Sequence, residues 1–180
     1  MSSTSSNRIN FTPFALADAD ELFLIRGDEE AMLHWDWPAD KTRAETAFVA
    51  RQMLDDVDAG TARIWTVRLD KGDFIGVVDL SEIANSEADL GFMIRRDTWG
   101  KGFAFGACTL ALLNARAMNL RRLKARIHAD NLRSRKLLLR LGFSPVETRD
   151  MEVRPGVVKP CEFFALDDIG ARFASGNRFP

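Results

Sequence analysis

Apolar and polar positions repeat along this chain with two different periods, and the switches between them mark out its elements. From Ala62 to Leu69 the alternation is strict, with Ile64, Thr66 and Arg68 on one side and Trp65, Val67 and Leu69 on the other, which predicts a strand. Phe74 to Leu80 and Ala88 to Ile94 read as two further strands, set apart by the turn signals Lys71-Gly72 and Ala84-Asn85-Ser86. The three together predict an antiparallel meander. The period then changes. Ala104, Ala107, Cys108, Ala111, Leu112, Ala115 and Met118 recur at helical spacing, and Phe103, Leu110 and Leu113 make Lys101 to Met118 apolar nearly all round, as a buried central helix should be. Helices are also predicted over Asp18 to Arg26, over Thr42 to Asp58 with Gly60 behind it, and over Asn131 to Leu141, capped by Asp130 and stopped by Gly142. Arg8 to Phe14, Leu123 to His128, Pro145 to Val153 and Lys159 to Leu166 complete the strands, and Asp28 to Pro38 is irregular or helical.

The order is β, α, α, β, β, β, α, β, α, β, β, a mixed α+β sheet. At 180 residues, with no internal repeat, it makes one domain over residues 8–168. Residues 1–7 and 174–180 read as flexible termini. A net charge of -1 removes any global bias toward nucleic acid or an anionic membrane. Two cysteines, Cys108 and Cys161, give no disulfide framework, and the polar N-terminus has no signal-peptide core. A cytoplasmic protein without a membrane segment is expected. No His, Cys and carboxylate spacing suggests a metal site.

The candidate chemistry begins between the third meander strand and the central helix. Gly100 and Gly102 lie where a strand gives way to a helix N-terminus, whose first N–H groups have no carbonyl partner and whose dipole is positive. Such a turn can hold a phosphate or pyrophosphate by backbone alone. The Gly-Lys-Ser/Thr ending of a Walker loop is missing. A loose dinucleotide pattern exists in Gly100, Gly102 and Gly106, but that pattern belongs after a first strand, whereas here a meander precedes it. Farther on, Ser134 shares the face of Leu137, Leu138 and Leu141, one turn after Asn131. Two polar groups opening a leucine-lined face can line a cleft, or can simply satisfy the helix backbone.

Three blocks in this order carry a resemblance: Ala88-Asp89-Leu90-Gly91-Phe92-Met93-Ile94, the turn Trp99-Gly100-Lys101-Gly102-Phe103-Ala104, and Asn131-x-x-Ser134 ending in Leu141-Gly142-Phe143. Together they resemble the GNAT N-acetyltransferase superfamily, in particular its RimJ/RimL-like branch, over residues 8 to 168. Trp99 stands where many members carry Gln or Arg and is familiar in that branch. The resemblance implies a GNAT fold, a mostly antiparallel twisted sheet of about seven strands flanked by about four helices, with acetyl-coenzyme A bound across it. It implies pyrophosphate at the N–H groups of Lys101 to Ala104, the pantetheine arm along Phe92, Met93 and Ile94, and Asn131 near the thioester. Arg95, Arg96, Lys101 or Arg135 would meet the phosphates. It implies a primary-amine acceptor, a small molecule or a peptide N-terminus such as that of a ribosomal protein, and a monomer or homodimer.

Acetyl transfer to an amine needs a neutral amine, donors for the carbonyl oxygen and help for the departing thiolate. Many GNAT enzymes give the last task to a tyrosine, and this chain has none. Ser134 is then the expected leaving-group residue. Asp89, on the strand side shared by Gly91 and Met93, is the expected base, ahead of Glu82, Glu87 and His128. The aromatic linker His34-Trp35-Asp36-Trp37 is expected to wall the amine pocket, with Trp35 and Trp37 as substrate contacts, unless both pack into the core. An acyl-coenzyme A-binding module without chemistry, and a nicotinamide-nucleotide protein, are the competing readings.

Overall fold

In a computed structural model, which describes residues 8–169, seven strands form one sheet in the order β1-β2-β3-β4-β5-β7-β6. The strands are β1 (Ile9–Pro13), β2 (Arg63–Leu69), β3 (Phe74–Ala84), β4 (Glu87–Ile94), β5 (Arg122–His128), β6 (Ser144–Arg154) and β7 (Val157–Asp167). The helices are α1 (Ala19–Arg26), α2 (Arg43–Asp58), α3 (Phe103–Ala117) and α4 (Leu132–Leu141). Every neighbouring pair of strands is antiparallel except β4 and β5. The expected flexible termini lie outside the described residues. No helix among those described is long and apolar enough to cross a membrane.

The alternation read in the sequence divides the core. On one face Val67, Val78, Leu80 and Leu90 pack with Ala107, Ala111 and Leu112 of α3 and Leu138 and Leu141 of α4. On the other, Ile64, Phe74 and Val77 pack with Leu22 and Ile25 of α1 and Ala50 of α2. The polar members of β2 on that second face are also covered. Thr66 donates its hydroxyl to Asp18 Oδ2 at 2.7 Å, and Arg68 Nη2 reaches Asp18 Oδ1 at 2.9 Å. At the start of α2, the Thr42 side chain accepts from the Glu45 N–H at 3.3 Å, and the Glu45 carboxylate accepts from the Thr42 N–H, a reciprocal capping box.

Several expected boundaries move by a residue or more, and two of these shifts bear on the site. β3 runs past Leu80 to Ala84, because Asn85 and Ser86 both take positive φ (51° and 64°) and the hairpin closes tightly, pairing Ala84 with Glu87. The central helix starts at Phe103 rather than Lys101. Gly102 is its N-cap with φ 83°, a left-handed conformation that leaves Lys101 in the turn.

Candidate active site

The site begins at the one parallel pair. β4 and β5 are in register only at Glu87–Arg122, Ala88–Leu123 and Asp89–Lys124. Beyond Asp89 and Lys124 they share no further pairs, so Leu90 to Ile94 and Ala125 to His128 present facing edges that are not bonded to each other. Each strand runs through a short connection into a helix, β4 into α3 and β5 into α4, so two helix N-termini stand at the open end. In α3 the first ladder bond is from the Gly106 N–H to Gly102 O at 3.1 Å, which leaves the N–H groups of Phe103 and Ala104 ahead of the ladder. A Cβ on Gly100 or Gly102 would meet nothing within 4 Å, so positive φ, not crowding by the protein, demands glycine there. Gly106 serves packing instead: a Cβ on it would stand 3.0 Å from Ile9 Cδ1.

A cavity of about 650 Å³ fills this opening. Its walls include Phe92, Met93 and Ile94 of β4, the turn residues Trp99, Gly100, Gly102, Phe103 and Ala104, Asn131 and Ser134 at α4, and Trp35 of the linker. Trp99 is pinned by its indole N–H, which donates to Ile94 O at 2.8 Å. Asn131, not the expected Asp130, caps α4: its Oδ1 accepts from the Ser134 N–H at 3.1 Å, and its amide nitrogen is left for a ligand. Ser134 lines the cavity beside Leu137.

The cationic residues of the wall are Arg133, Lys136 and Arg140, which share one face of α4 at i, i+3 and i+7. Arg133 lies 4.0 Å over the Trp99 ring and Arg140 4.0 Å over Phe105. The cations expected from the sequence are engaged elsewhere. Arg135 turns away, its Nε 3.1 Å from Glu162 Oε2 of β7. Arg96 pairs with Asp28 at 2.7 Å and Glu30 at 3.2 Å, Arg95 pairs with Asp97, and Lys101 donates to Asp97 O at 3.0 Å. None of these four lines the cavity.

Asp89 also stands apart from the cavity wall, which corrects its expected place. It sits where β4 and β5 are still joined, with Lys124 Nζ 3.3 Å from its Oδ1. Strand parity put it on the right side of the sheet but one end too far back. Cys108 is fully buried among the α3 side chains, and burial pushes its thiol well above the ordinary range, so it offers no thiolate nucleophile.

A second cavity of about 270 Å³ adjoins the first. Leu33 and Trp35 line both, and Trp37, Pro38, His128, Arg154 and Lys159 are among the walls of the second. The linker from α1 to α2 is fixed here by Asp36. Its carboxylate binds Arg126 Nη2 at 2.5 Å and stands 3.1 Å from His128 Nε2, while its carbonyl accepts from Arg154 Nη1. Arg126 and His128 hold the Asp36 carboxyl below its usual range against the opposing effect of burial. Both tryptophans thus border cavities, Trp37 with 58% exposure. The fold also gathers His34, Asp130 and His128, with His34 Nδ1 3.2 Å from Asp130 Oδ1. Asp130 is three-quarters exposed and Asp36 is already neutralised by Arg126, so this group is not the closed ligand shell of a structural metal, and we assign no metal to it.

Comparison with known proteins agrees with this geometry. The acetyltransferase (GNAT) domain family matches residues 8–144. The chain is 28% identical over 174 residues to uncharacterized N-acetyltransferase p20 of Bacillus licheniformis, covering 92% of this chain and 96% of that protein. Among solved structures it is similar to spermidine N-acetyltransferase from Vibrio cholerae in complex with CoA and spermine (TM-score 0.78, 18% identity, 89% of this chain and 95% of that one). It is also similar to the ribosomal L7/L12 alpha-N-protein acetyltransferase RimL in complex with coenzyme A (TM-score 0.79, 18% identity, 92% and 97%). A third similar structure is the microcin C7 self immunity acetyltransferase MccE in complex with acetyl-CoA and AMP (TM-score 0.80, 21% identity, 91% and 94%).

Proposed function

Because this chain belongs to the GNAT acetyltransferase family, we propose that it transfers the acetyl group of acetyl-coenzyme A to a primary amine by direct attack within a ternary complex. The observation that carries this reading is one continuous cavity running from the N-terminus of α3, past the free edge of β4, to Asn131 and Ser134. Acetyl-coenzyme A supplies an acyl group activated as a thioester.

The residues divide the work. The N–H groups of Phe103 and Ala104 take the diphosphate, where the α3 dipole favours negative charge, and Arg133, Lys136 and Arg140 add cations across the cleft. The edge of β4 from Phe92 to Ile94, apart from the Ile94 carbonyl that Trp99 occupies, offers its backbone polar groups to the amide-bearing pantetheine arm, as an added strand would. Asn131 keeps its amide N–H groups for the thioester region, and the Ser134 hydroxyl stabilises or protonates the departing sulfur. Lacking a tyrosine, the chain has no phenol for that step. The buried Cys108 supports direct transfer over an acyl-cysteine intermediate. The second cavity, walled by Trp35 and Trp37, receives the amine acceptor, a small molecule or a peptide N-terminus.

Acetyl-coenzyme A binding followed by calorimetry, together with thiol release over a panel of peptides and small amines, tests the proposal. Binding plus release with at least one amine supports it. Binding without release across the panel would make the chain an acyl-coenzyme A-binding module, and no binding would remove the reading altogether.

A further inference from the structure

The expected base, Asp89, does not reach the cavity, yet an attacking amine must lose a proton, since a free α-amino group is mostly protonated at neutral pH. The groups between the two cavities narrow the choice. Glu30 lines the larger cavity and Glu29 the second, but Arg96 holds Glu30 at 3.2 Å and Lys41 holds Glu29 at 3.5 Å. Asp36 is bound to Arg126 and its carboxyl is held low, which makes it a weak proton acceptor. His34 remains. It lines the larger cavity with Asn131 and Ser134, and its sequence neighbours Leu33 and Trp35 line both cavities, so it stands at their junction. Asp130 Oδ1 lies 3.2 Å from its Nδ1, an acceptor that favours a proton on that nitrogen and leaves Nε2 to take one from the amine. Behind it, the His128 ring meets the His34 ring edge to face at 6.4 Å and lines the second cavity, with Asp36 on its Nε2 at 3.1 Å.

We propose that His34 is the general base of the transfer, oriented by Asp130, with His128 and Asp36 as positioning residues that hold the ring at the junction of the acyl and amine cavities. The inference rests on the acetyltransferase reading above. The acceptor ammonium gives one proton to His34, and the freed lone pair forms the C–N bond to the acetyl carbonyl carbon. The C–S bond breaks with its electron pair on sulfur, which receives the second nitrogen proton directly or through Ser134. The third stays on the amide nitrogen, and His34 returns its proton to water. Ammonium and thioester thus yield amide, thiol and one proton. The charged groups around the ring pair are Asp130 after β5, Asp36 of the linker, Arg126 of β5 and Arg154 of β6, and Glu29, Lys41 and Lys159 line the second cavity with His128.

The test compares wild type with His34→Gln and His34→Gly, using the best amine of the panel. General-base loss costs roughly 10²–10⁴-fold, so His34→Gln should lower kcat by about 100-fold while the Kd for acetyl-coenzyme A, measured by calorimetry, stays unchanged and shows that the fold is intact. The acid limb of the kcat–pH profile should disappear, and added imidazole should restore turnover to His34→Gly. His128→Gln should lower kcat less and keep the acid limb. A His34→Gln enzyme with wild-type kcat and an unaltered pH profile overturns this inference alone. A wild-type chain that releases no thiol with any amine overturns the functional reading and this inference with it.

Discussion

Replacing Asp79 by Asn should stabilise the protein at neutral pH. Asp79 lies on β3 opposite Gly91 of β4, so close that a Cβ on Gly91 would fall 2.3 Å from its Oδ1. Burial pushes this carboxyl from 3.8 up to about 6, Ser81 opposes the shift with a hydrogen bond, and the negative charge of Asp89 adds to it. An acid whose folded pKa exceeds its unfolded value binds its proton more tightly when folded. The cost of ionising it is therefore absent below about pH 4, grows as pH rises, and is complete above about pH 6. At about 1.36 kcal/mol per unit the whole shift corresponds to roughly 3 kcal/mol, and the partial solvent access of Asp79 reduces this to about 1–2 kcal/mol. Asn keeps the shape and can still bond Ser81. Urea unfolding of wild type and Asp79→Asn between pH 4 and 8 should show the variant more stable by that amount at pH 7, with the difference vanishing toward pH 4. At about 2–4 °C per kcal/mol for a chain of this size, Tm should rise by roughly 2–8 °C at pH 7. A variant equal to or weaker than wild type at pH 7 would refute the reasoning.

Other substitutions address the proposed ligand site. Gly102→Val puts a β-branched residue at φ 83° without a clash inside the protein, so unfolding should show a loss of about 1–2 kcal/mol, and calorimetry a weakened acetyl-coenzyme A affinity as the side chain intrudes on the turn. Ser134→Ala should slow acetyl transfer by about tenfold to a hundredfold in a thiol-release assay while leaving cofactor affinity nearly intact, because a hydroxyl acting on the leaving sulfur contributes only in the transition state. Arg133→Ala removes both a cavity cation and its stacking on Trp99 and should weaken acetyl-coenzyme A binding by about tenfold, with a shallower salt dependence of Kd.

What was legible in the sequence was local. The alternation of β2 correctly assigned Val67 and Ile64 to opposite cores, because side-chain parity depends only on the strand itself. The glycine turn was legible for the same reason: the residues that bend it and the helix that follows are contiguous. The extension of β3 was not, since Ser81 and Glu82 interrupt the apolar run and the pairing there is set by the backbone of Asn85 and Ser86. The cations of α4 were half legible. Helical spacing groups Arg133, Lys136 and Arg140 on one face, but only the packing of α4 shows that this face meets the cavity while Arg135 meets Glu162. His34 and Asp130 are far apart in the chain, and no spacing rule brings them together.

The place of the site follows from topology more than from any single residue. In open sheets with parallel strands, ligands gather at the carboxyl ends of neighbouring strands where the connections diverge, since helix N-termini point there. This sheet has one parallel pair, β4 and β5, and its ladder ends at Asp89 and Lys124. Had the pairing continued to Ile94 and His128, the two edges would satisfy each other and no cleft would exist. Because it stops, the edge of β4 is free, α3 and α4 both begin at the opening, and three α4 cations face the same space. A chain with net charge -1 thereby brings three cations to one cleft, an arrangement that suits a polyanionic cosubstrate.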